Sequence, residues 1–230
     1  MECQEKEHPE EITENRHLKL REPGSAITHF IAFLLTAMFA YPLLTKARRA
    51  DSVTFYSMVV FISSMLMLYA ASTLFHSVNA EGRKLRVFRK IDHMMVFVLI
   101  AGTYTPVALL VLPPEAGRPF LAAVWTIAIC GMLFKLFWVG SPKWVTATIY
   151  ILFGWFALGV YDMLITVLSR RAFHWLLAGG IIYTVGGVLY SLRSESFDQK
   201  HPVFDAHAVF HLFIMAGSIC HAVFMFRYVL

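Results

Sequence analysis

Histidines recur at helical spacing in this chain, beside residues suited to metal chemistry. His207 and His211 are four residues apart, so they lie on one face of a helix. His76 follows Ser72 by the same interval, and Asp92 comes shortly after them. Three imidazole nitrogens with one open position make the catalytic kind of zinc site. The spacing predicts a site with metal ligands His76, His207 and His211, where Asp92 and Ser72 could hold a water or orient a ligand.

Hydrogen bonding between helices is the alternative interpretation of the same histidines. The chain has ten histidines in 230 residues, so some pairs four apart arise by chance. Imidazoles inside a membrane need partners, and a neighbouring helix can supply them. Residue types alone leave both interpretations open. For His29 we expect a hydrogen bond to a neighbouring helix rather than metal binding, and for His221 a packing or hydrogen-bonding role.

The distribution of histidines argues against haem. His207 and His221 are 14 residues apart, a spacing that could ligate two stacked haems. No other predicted span carries a matching pair. Zinc is the cofactor that the three imidazole ligands predict.

Composition indicates what kind of protein must position these groups. Hydrophobic residues make up 58% of the chain and charged residues 15%, whereas soluble domains carry about a quarter charged residues. Residues 23–45 and 52–80 contain no Asp, Glu, Lys or Arg, and three similar gaps follow. A bilayer-crossing helix needs about 20 apolar residues. The sequence predicts an all-α, polytopic membrane protein.

Seven membrane spans are predicted, and they define one transmembrane domain over residues 23–230. Their approximate bounds are 25–45, 53–77, 93–112, 119–138, 144–167, 172–192 and 205–228. Lys135 and Asp162 fall near span ends, where we expect Lys135 to extend its ammonium toward headgroups. The net charge of +5 does not indicate nucleic-acid binding, because the basic residues lie in short loops.

Loop charges predict a cytoplasmic N-terminus. That orientation puts thirteen Lys and Arg residues inside and seven outside, as the positive-inside rule favours. Residues 1–22 form a polar, acidic cytoplasmic tail with no apolar core of a signal peptide. The second span then ends, and the third and seventh begin, at the cytoplasmic face. His76, Asp92 and His207 are therefore expected in one layer of the membrane.

Motifs in four spans resemble the hemolysin III family, the largely bacterial branch of the progestin and adipoQ receptor superfamily. The similarity covers residues 21 to 230, with Ala32 standing where the family has Gly, a difference that bears on packing. The matching stretches are Arg21-Glu-Pro-Gly-Ser-Ala-Ile-Thr-His29, Ser72-x-x-x-His76, Lys90-Ile-Asp92-His93, Gly102-Thr-Tyr-Thr-Pro106, and His201-Pro-x-Phe-x-x-His207-x-x-x-His211 followed by Gly217-Ser218 and His221.

This resemblance implies a seven-helix bundle with an intracellular N-terminus. In related receptors three histidines hold zinc, and these carry over to His76, His207 and His211. An aspartate similar in position to Asp92 holds a water there, with a serine like Ser72 beside it. The superfamily includes alkaline ceramidases, so the implied chemistry is amide hydrolysis of a lipid.

Three functions follow as expectations for a multi-pass protein of the cell (plasma) membrane. The first is a zinc-dependent hydrolase of a ceramide-like amide, or a zinc-dependent lipid sensor, with a membrane lipid as substrate or ligand. The second is a non-enzymatic regulator of membrane lipid homeostasis with structural zinc. A cytolysin or pore ranks last, because the spans lack a polar stripe that could line a channel.

Overall fold

The computed structural model of the chain describes residues 20–192, 195–201 and 203–230. Almost all of these residues are helical. A 3-10 segment at Trp155–Val160 joins α5 to α6, and π-helical turns extend α3 over Val107–Val111 and α9 over Met225–Val229. The helices are α1 (Pro23–Arg48), α2 (Ser52–Ser77), α3 (Gly82–Pro106), α4 (Pro114–Phe137), α5 (Lys143–Gly154), α6 (Tyr161–Val167), α7 (Arg170–Ser191), α8 (Glu195–Lys200) and α9 (Ala206–Phe224).

Within the described residues, seven helical stretches are long and apolar enough to cross a bilayer, which confirms the predicted all-α, seven-span fold. They correspond to α1, α2, α3 with its π turn, α4, α5 with α6, α7, and α9 with its π turn. Large apolar side chains such as Met38, Tyr41 and Phe137 are exposed on the outer surface. In a protein of this class that surface faces lipid, so outward apolar residues are expected.

The third span begins earlier than the charge pattern predicts. The predicted span starts at residue 93, whereas α3 starts at Gly82 and includes five Lys and Arg residues before Asp92. Lysine and arginine are good helix formers, so the charge gap locates the apolar segment rather than the helix start. Asp92 and His93 therefore lie about three turns inside the helix rather than at its start.

Lys135 lies inside the protein, contrary to the prediction that it extends to the headgroups. Its side chain is fully buried. The ammonium donates hydrogen bonds to Ser141 Oγ at 2.7 Å and Thr146 Oγ1 at 2.6 Å. These hydroxyls precede and begin α5, so the bonds join α4 to α5. They replace the water or headgroup oxygens that a snorkelling lysine would reach.

The fifth span is interrupted where Tyr104 of α3 contacts it. The Tyr104 hydroxyl donates to the carbonyl of Gly154 and accepts from the backbone N–H of Ala157 at 3.2 Å. Both groups lie at the start of the 3-10 segment, where regular α-helical bonding is lost. This span is also the least buried of the seven. Its loose packing against α3 leaves room for the cavity described below.

Candidate metal centre

Three histidines from two helices converge at one end of the bundle. His76 lies in the last turn of α2, and His207 and His211 lie in the first two turns of α9. One ring nitrogen from each lies within 4.8 Å of the others. The structure thus brings together the three residues predicted as ligands.

The donor set suits zinc, although the nitrogens are more widely spaced than in a loaded site. Tetrahedral zinc with Zn–N bonds of about 2.0–2.1 Å places its nitrogens roughly 3.4 Å apart. Small rotations of the imidazoles would close the cluster. His76 and His211 are buried and His207 is half-buried. Buried imidazoles at this spacing are consistent with a metal ligand set, and ligation itself stays a prediction.

Glu22 fixes the orientation of His76. The Glu22 carboxylate contacts His76 Nδ1, which therefore carries the proton and donates. His76 Nε2 is buried and has no hydrogen-bond partner among the described residues. A carboxylate on one imidazole nitrogen and a free lone pair on the other is the arrangement that metal-binding histidines use.

Residues of α1 fix the tautomer of His211 in the same way. His211 Nδ1 lies 3.1 Å from the Ser25 carbonyl oxygen and 3.3 Å from Thr28 Oγ1. The Thr28 hydroxyl donates to backbone carbonyls of its own helix, so its oxygen is left to accept. Nδ1 of His211 therefore carries the proton, and Nε2 keeps its lone pair.

Asp92 and Ser72 lie beside the histidines. Asp92 is 8% exposed, and its carboxylate lies close to His76 and Ser72. Ser72 Oγ is buried and makes no hydrogen bond of standard length and angle within the described part of the chain. Both side chains line the same cavity as His207 and His211. An acidic group and a hydroxyl thus stand where a water at the cluster could be held.

His29 does not make the interhelical hydrogen bond predicted for it. Its ring is 3% exposed, and neither nitrogen has a hydrogen-bond partner among the described residues. It stacks parallel on the His211 ring, with centroids 3.5 Å apart and an interplanar angle of 6°. This stacking could not be predicted from the sequence, because the two residues are far apart in the chain. His221, predicted to pack or hydrogen-bond, stacks on Tyr183.

A cavity of about 210 Å³ runs from the histidine cluster into the bundle. Helices α3, α5, α7 and α9 supply most of its wall, and most of the lining side chains are apolar. Gly180 and Gly187, which could line a groove by their size, both border it. Leu158 and Tyr161 also border it and are exposed on the outer surface. The cavity therefore reaches the side of the bundle that faces lipid.

Glu22 is the site residue that sequence reasoning missed. It lies at the end of the predicted acidic tail, where nothing in the sequence distinguishes it from the other glutamates. Arg21 beside it forms an ion pair with Glu22 at 3.3 Å and lies over the Phe75 ring at 4.2 Å. Burial lowers the pKa of the Arg21 guanidinium from its ordinary value. The short Arg21-Glu22 segment thus packs against the end of α2 and forms part of the site.

Comparison with known proteins identifies a family that matches most of the chain. Residues 18–222 match the family described as "Haemolysin-III related". The chain is 33% identical over 210 residues to "Hemolysin-3" of Bacillus cereus, covering 91% of this chain and 92% of that protein. It is 34% identical over 198 residues to the "Hemolysin-3 homolog" of Bacillus subtilis, covering 86% and 89%.

A more distant similarity extends to an animal protein. The human "Monocyte to macrophage differentiation factor" is 26% identical over 167 residues, which is 70% of this chain and 65% of the human protein. The bacterial matches cover nearly the whole chain, and the family match includes all three clustered histidines. This chain belongs to the haemolysin-III-related family of integral membrane proteins.

Proposed function

We propose that this protein binds zinc at His76, His207 and His211 and hydrolyses an amide bond of a membrane lipid. The observation that carries the proposal is that only one of the two ring nitrogens of His76 has a hydrogen-bond partner among the described residues. Its Nδ1 is occupied by the Glu22 carboxylate, while its buried Nε2 has no protein partner among the described residues. Interhelical hydrogen bonding would have used that atom. A metal ion accounts for it and for the two other imidazoles nearby.

The chemistry at such a site divides between the metal and the surrounding side chains. Zinc, when bound, lowers the pKa of a water and polarises a carbonyl oxygen. The Asp92 carboxylate accepts the proton of the attacking water and passes it to the departing amine nitrogen. Ser72 donates a hydrogen bond that orients the water or the substrate. Three histidine ligands leave a position open, which favours catalysis over a purely structural role.

A lipid is the substrate class that the surroundings favour. The cavity adjoins the cluster, lies within the spans and is lined mainly by apolar side chains. Leu158 and Tyr161 line it while being 59% and 44% exposed, so an acyl chain can enter from the bilayer. A ceramide-like amide places its reacting carbonyl near the polar end of such a cavity. We place the protein in the plasma membrane, as a multi-pass protein.

Hydrolysis of lipid amides by the purified protein tests the proposal. A panel of ceramide-like amides is incubated with zinc-loaded protein in detergent, and the released fatty acid is measured. We expect activity that falls about 10²–10⁴-fold in Asp92→Asn, because that change removes the acid–base group. Asp162→Asn, at an exposed aspartate of α6, is the matched control and should stay active. Zinc-loaded protein with no activity on any amide would contradict the hydrolase proposal.

A non-enzymatic regulator of lipid homeostasis is the second candidate. It is favoured by the position of the cluster, since a metal there would tie α2 to α9 next to a lipid-accessible cavity. Asp92→Asn discriminates the two: a regulator with structural zinc keeps its cellular effect in this variant, whereas a hydrolase loses it.

The names of the bacterial relatives bring a cytolysin into consideration. We rank it below the others, because the lining of the cavity is mainly apolar and a water-filled pore needs polar walls. Release of a dye from liposomes after addition of the purified protein is the direct test. Rapid leakage that persists in the Asp92→Asn variant would favour the cytolysin.

A further inference from the structure

A buried imidazole borders the cavity away from the histidine cluster. His221 of α9 is 6% exposed and lines the cavity. Its Nδ1 is buried and has no hydrogen-bond partner in the described part of the chain. Polar groups buried without partners are uncommon in native proteins, and each calls for an explanation. In a protein within a membrane, such a group marks a candidate functional site.

The surroundings of His221 hold the ring in place. The ring stacks on Tyr183, with centroids 5.3 Å apart and an interplanar angle of 26°. Gly179 of α7 packs against its other edge, and a Cβ at that position would lie 2.5 Å from Nε2. A glycine is therefore needed for the ring to fit. The imidazole is preformed at the cavity wall, not displaced there by loose packing.

The neighbouring hydroxyl groups are engaged with one another. Tyr69 OH donates to Ser218 Oγ at 2.7 Å, and Tyr183 OH lies 2.8 Å from the same oxygen. These bonds link α2, α7 and α9 and include no bond to His221. Two tyrosines and a serine that are hydrogen-bonded to one another therefore lie beside an imidazole whose Nδ1 has no hydrogen-bond partner among the described residues.

Position along α9 gives the depth of this imidazole. His221 is ten residues beyond His211, which is about 15 Å along a helix. The hydrocarbon core of a bilayer is about 30 Å thick. A cluster near one face of the membrane therefore places His221 near the midplane. A partner there must reach it through the apolar cavity.

We propose that the His221 end of the cavity is a binding subsite for a hydroxyl group carried part-way along the chain of a lipid. A hydroxyl both donates and accepts hydrogen bonds, so it satisfies Nδ1 in either tautomer. The cavity walls solvate the remainder of the chain. This inference rests on one part of the proposed function, namely that a lipid chain occupies the cavity. It requires neither metal binding nor hydrolysis.

Binding of two matched fatty acids tests the subsite. Stearate and a hydroxystearate with its hydroxyl near the middle of the chain are titrated into detergent-purified protein, and native mass spectrometry measures both affinities. We expect the hydroxylated acid to bind about tenfold more tightly, which is the ratio that one well-made hydrogen bond gives. Equal affinities would overturn the inference, since ordered water would then satisfy the imidazole equally well.

Variants at position 221 assign the preference to this residue. His221→Leu should bring the ratio of the two affinities close to one. His221→Asn, which keeps a polar group near the position of Nδ1, should retain part of the preference. His174→Leu, at an exposed histidine of α7, is the control and should retain all of it. A preference that survives His221→Leu would contradict the assignment.

Failure of this inference is distinguishable from failure of the proposed function. The zinc content of the same preparations is measured alongside binding. A hydroxyl preference in protein that binds no zinc would preserve the subsite and contradict the hydrolase. Zinc-loaded protein without the preference would contradict the subsite alone.

Discussion

Glu22 forms two hydrogen bonds with His76, one through its backbone and one through its side chain. Its backbone N–H donates to the His76 carbonyl oxygen at 3.0 Å, and its carboxylate accepts from His76 Nδ1. The first bond links the turn before α1 to the last turn of α2, and the second sets the orientation of the imidazole. The approach to the first span and the end of the second therefore form one unit at the histidine cluster.

Weakening this contact should weaken metal binding. In Glu22→Gln the carboxylate is lost, so the His76 ring becomes less basic and less firmly oriented. Outer-shell partners of this kind typically account for 10–100-fold in metal affinity, and we expect a loss in that range. Competition with a zinc chelator measures it.

Glu81→Gln is the matched control for that experiment. Glu81 is an exposed glutamate that precedes α3 and makes no side-chain capping bond. Zinc affinity should be unchanged in this variant. An equal loss in both variants would show that overall charge, and not the contact with His76, governs metal affinity.

Sequence reasoning located the parts of the site that lie on regular helices. Spacing of four residues identified His207 with His211, and the charge gaps placed His76 and Asp92 in the same layer. Glu22 was missed because it acts from a turn, and no helical period relates it to His76. The burial of Lys135 was missed because it depends on Ser141 and Thr146, whose hydroxyls replace lipid headgroups only after α4 and α5 pack.

The cavity was beyond prediction for a related reason. Its shape depends on the break at Trp155–Val160 and on loose packing of the fifth span. That break is stabilised by Tyr104, a residue of another helix. Gly180 and Gly187 are small, but only tertiary packing decides which small residues contact a neighbouring helix and which leave space.

Because Lys135 is hydrogen-bonded to Thr146, we expect substitution of Thr146 to lower the stability more than substitution of Lys135. Thr146→Val removes one acceptor from a buried ammonium and should lower the free energy of unfolding by about 1–3 kcal/mol. Lys135→Met removes the charge itself and leaves Ser141 and Thr146 bonded to each other at 3.0 Å. That change should cost less, because no group is left buried without a partner.

A double-mutant cycle isolates this interaction. Thr146→Val should be much less harmful when Lys135 is already Met, as judged by thermal unfolding in detergent. Additive effects of the two substitutions would contradict a direct bond between the ammonium and Thr146.

The capping aspartate of α2 predicts a pH-dependent contribution to stability. The Asp51 carboxylate accepts from the backbone N–H of Thr54 at 2.9 Å and from its hydroxyl at 2.7 Å. These bonds lower the pKa of Asp51 from its ordinary value. The contribution is therefore full above the ordinary pKa of an aspartate and is lost as the pH falls through the lowered pKa. Wild type should be more stable than Asp51→Ala at neutral pH, and the difference should shrink in acid.

The predicted orientation can be tested with a native cysteine. Cys3 lies in the N-terminal tail, outside the described residues, and Glu115 is exposed near the start of α4. In a Cys130→Ala background, a membrane-impermeant maleimide should label Cys3 only after the cells are permeabilised. Glu115→Cys in the same background should be labelled in intact cells. The reverse pattern would place the N-terminus outside.

Zinc content is the measurement that tests the central claim most directly. Detergent-purified wild type and the His207→Ala/His211→Ala variant are compared by plasma mass spectrometry after zinc reconstitution and removal of free metal. We predict about one zinc per chain in wild type, since three histidine ligands make one site, and none retained by the variant. Wild-type protein that holds no zinc, or a variant that holds as much as wild type, would contradict a metal centre at these histidines.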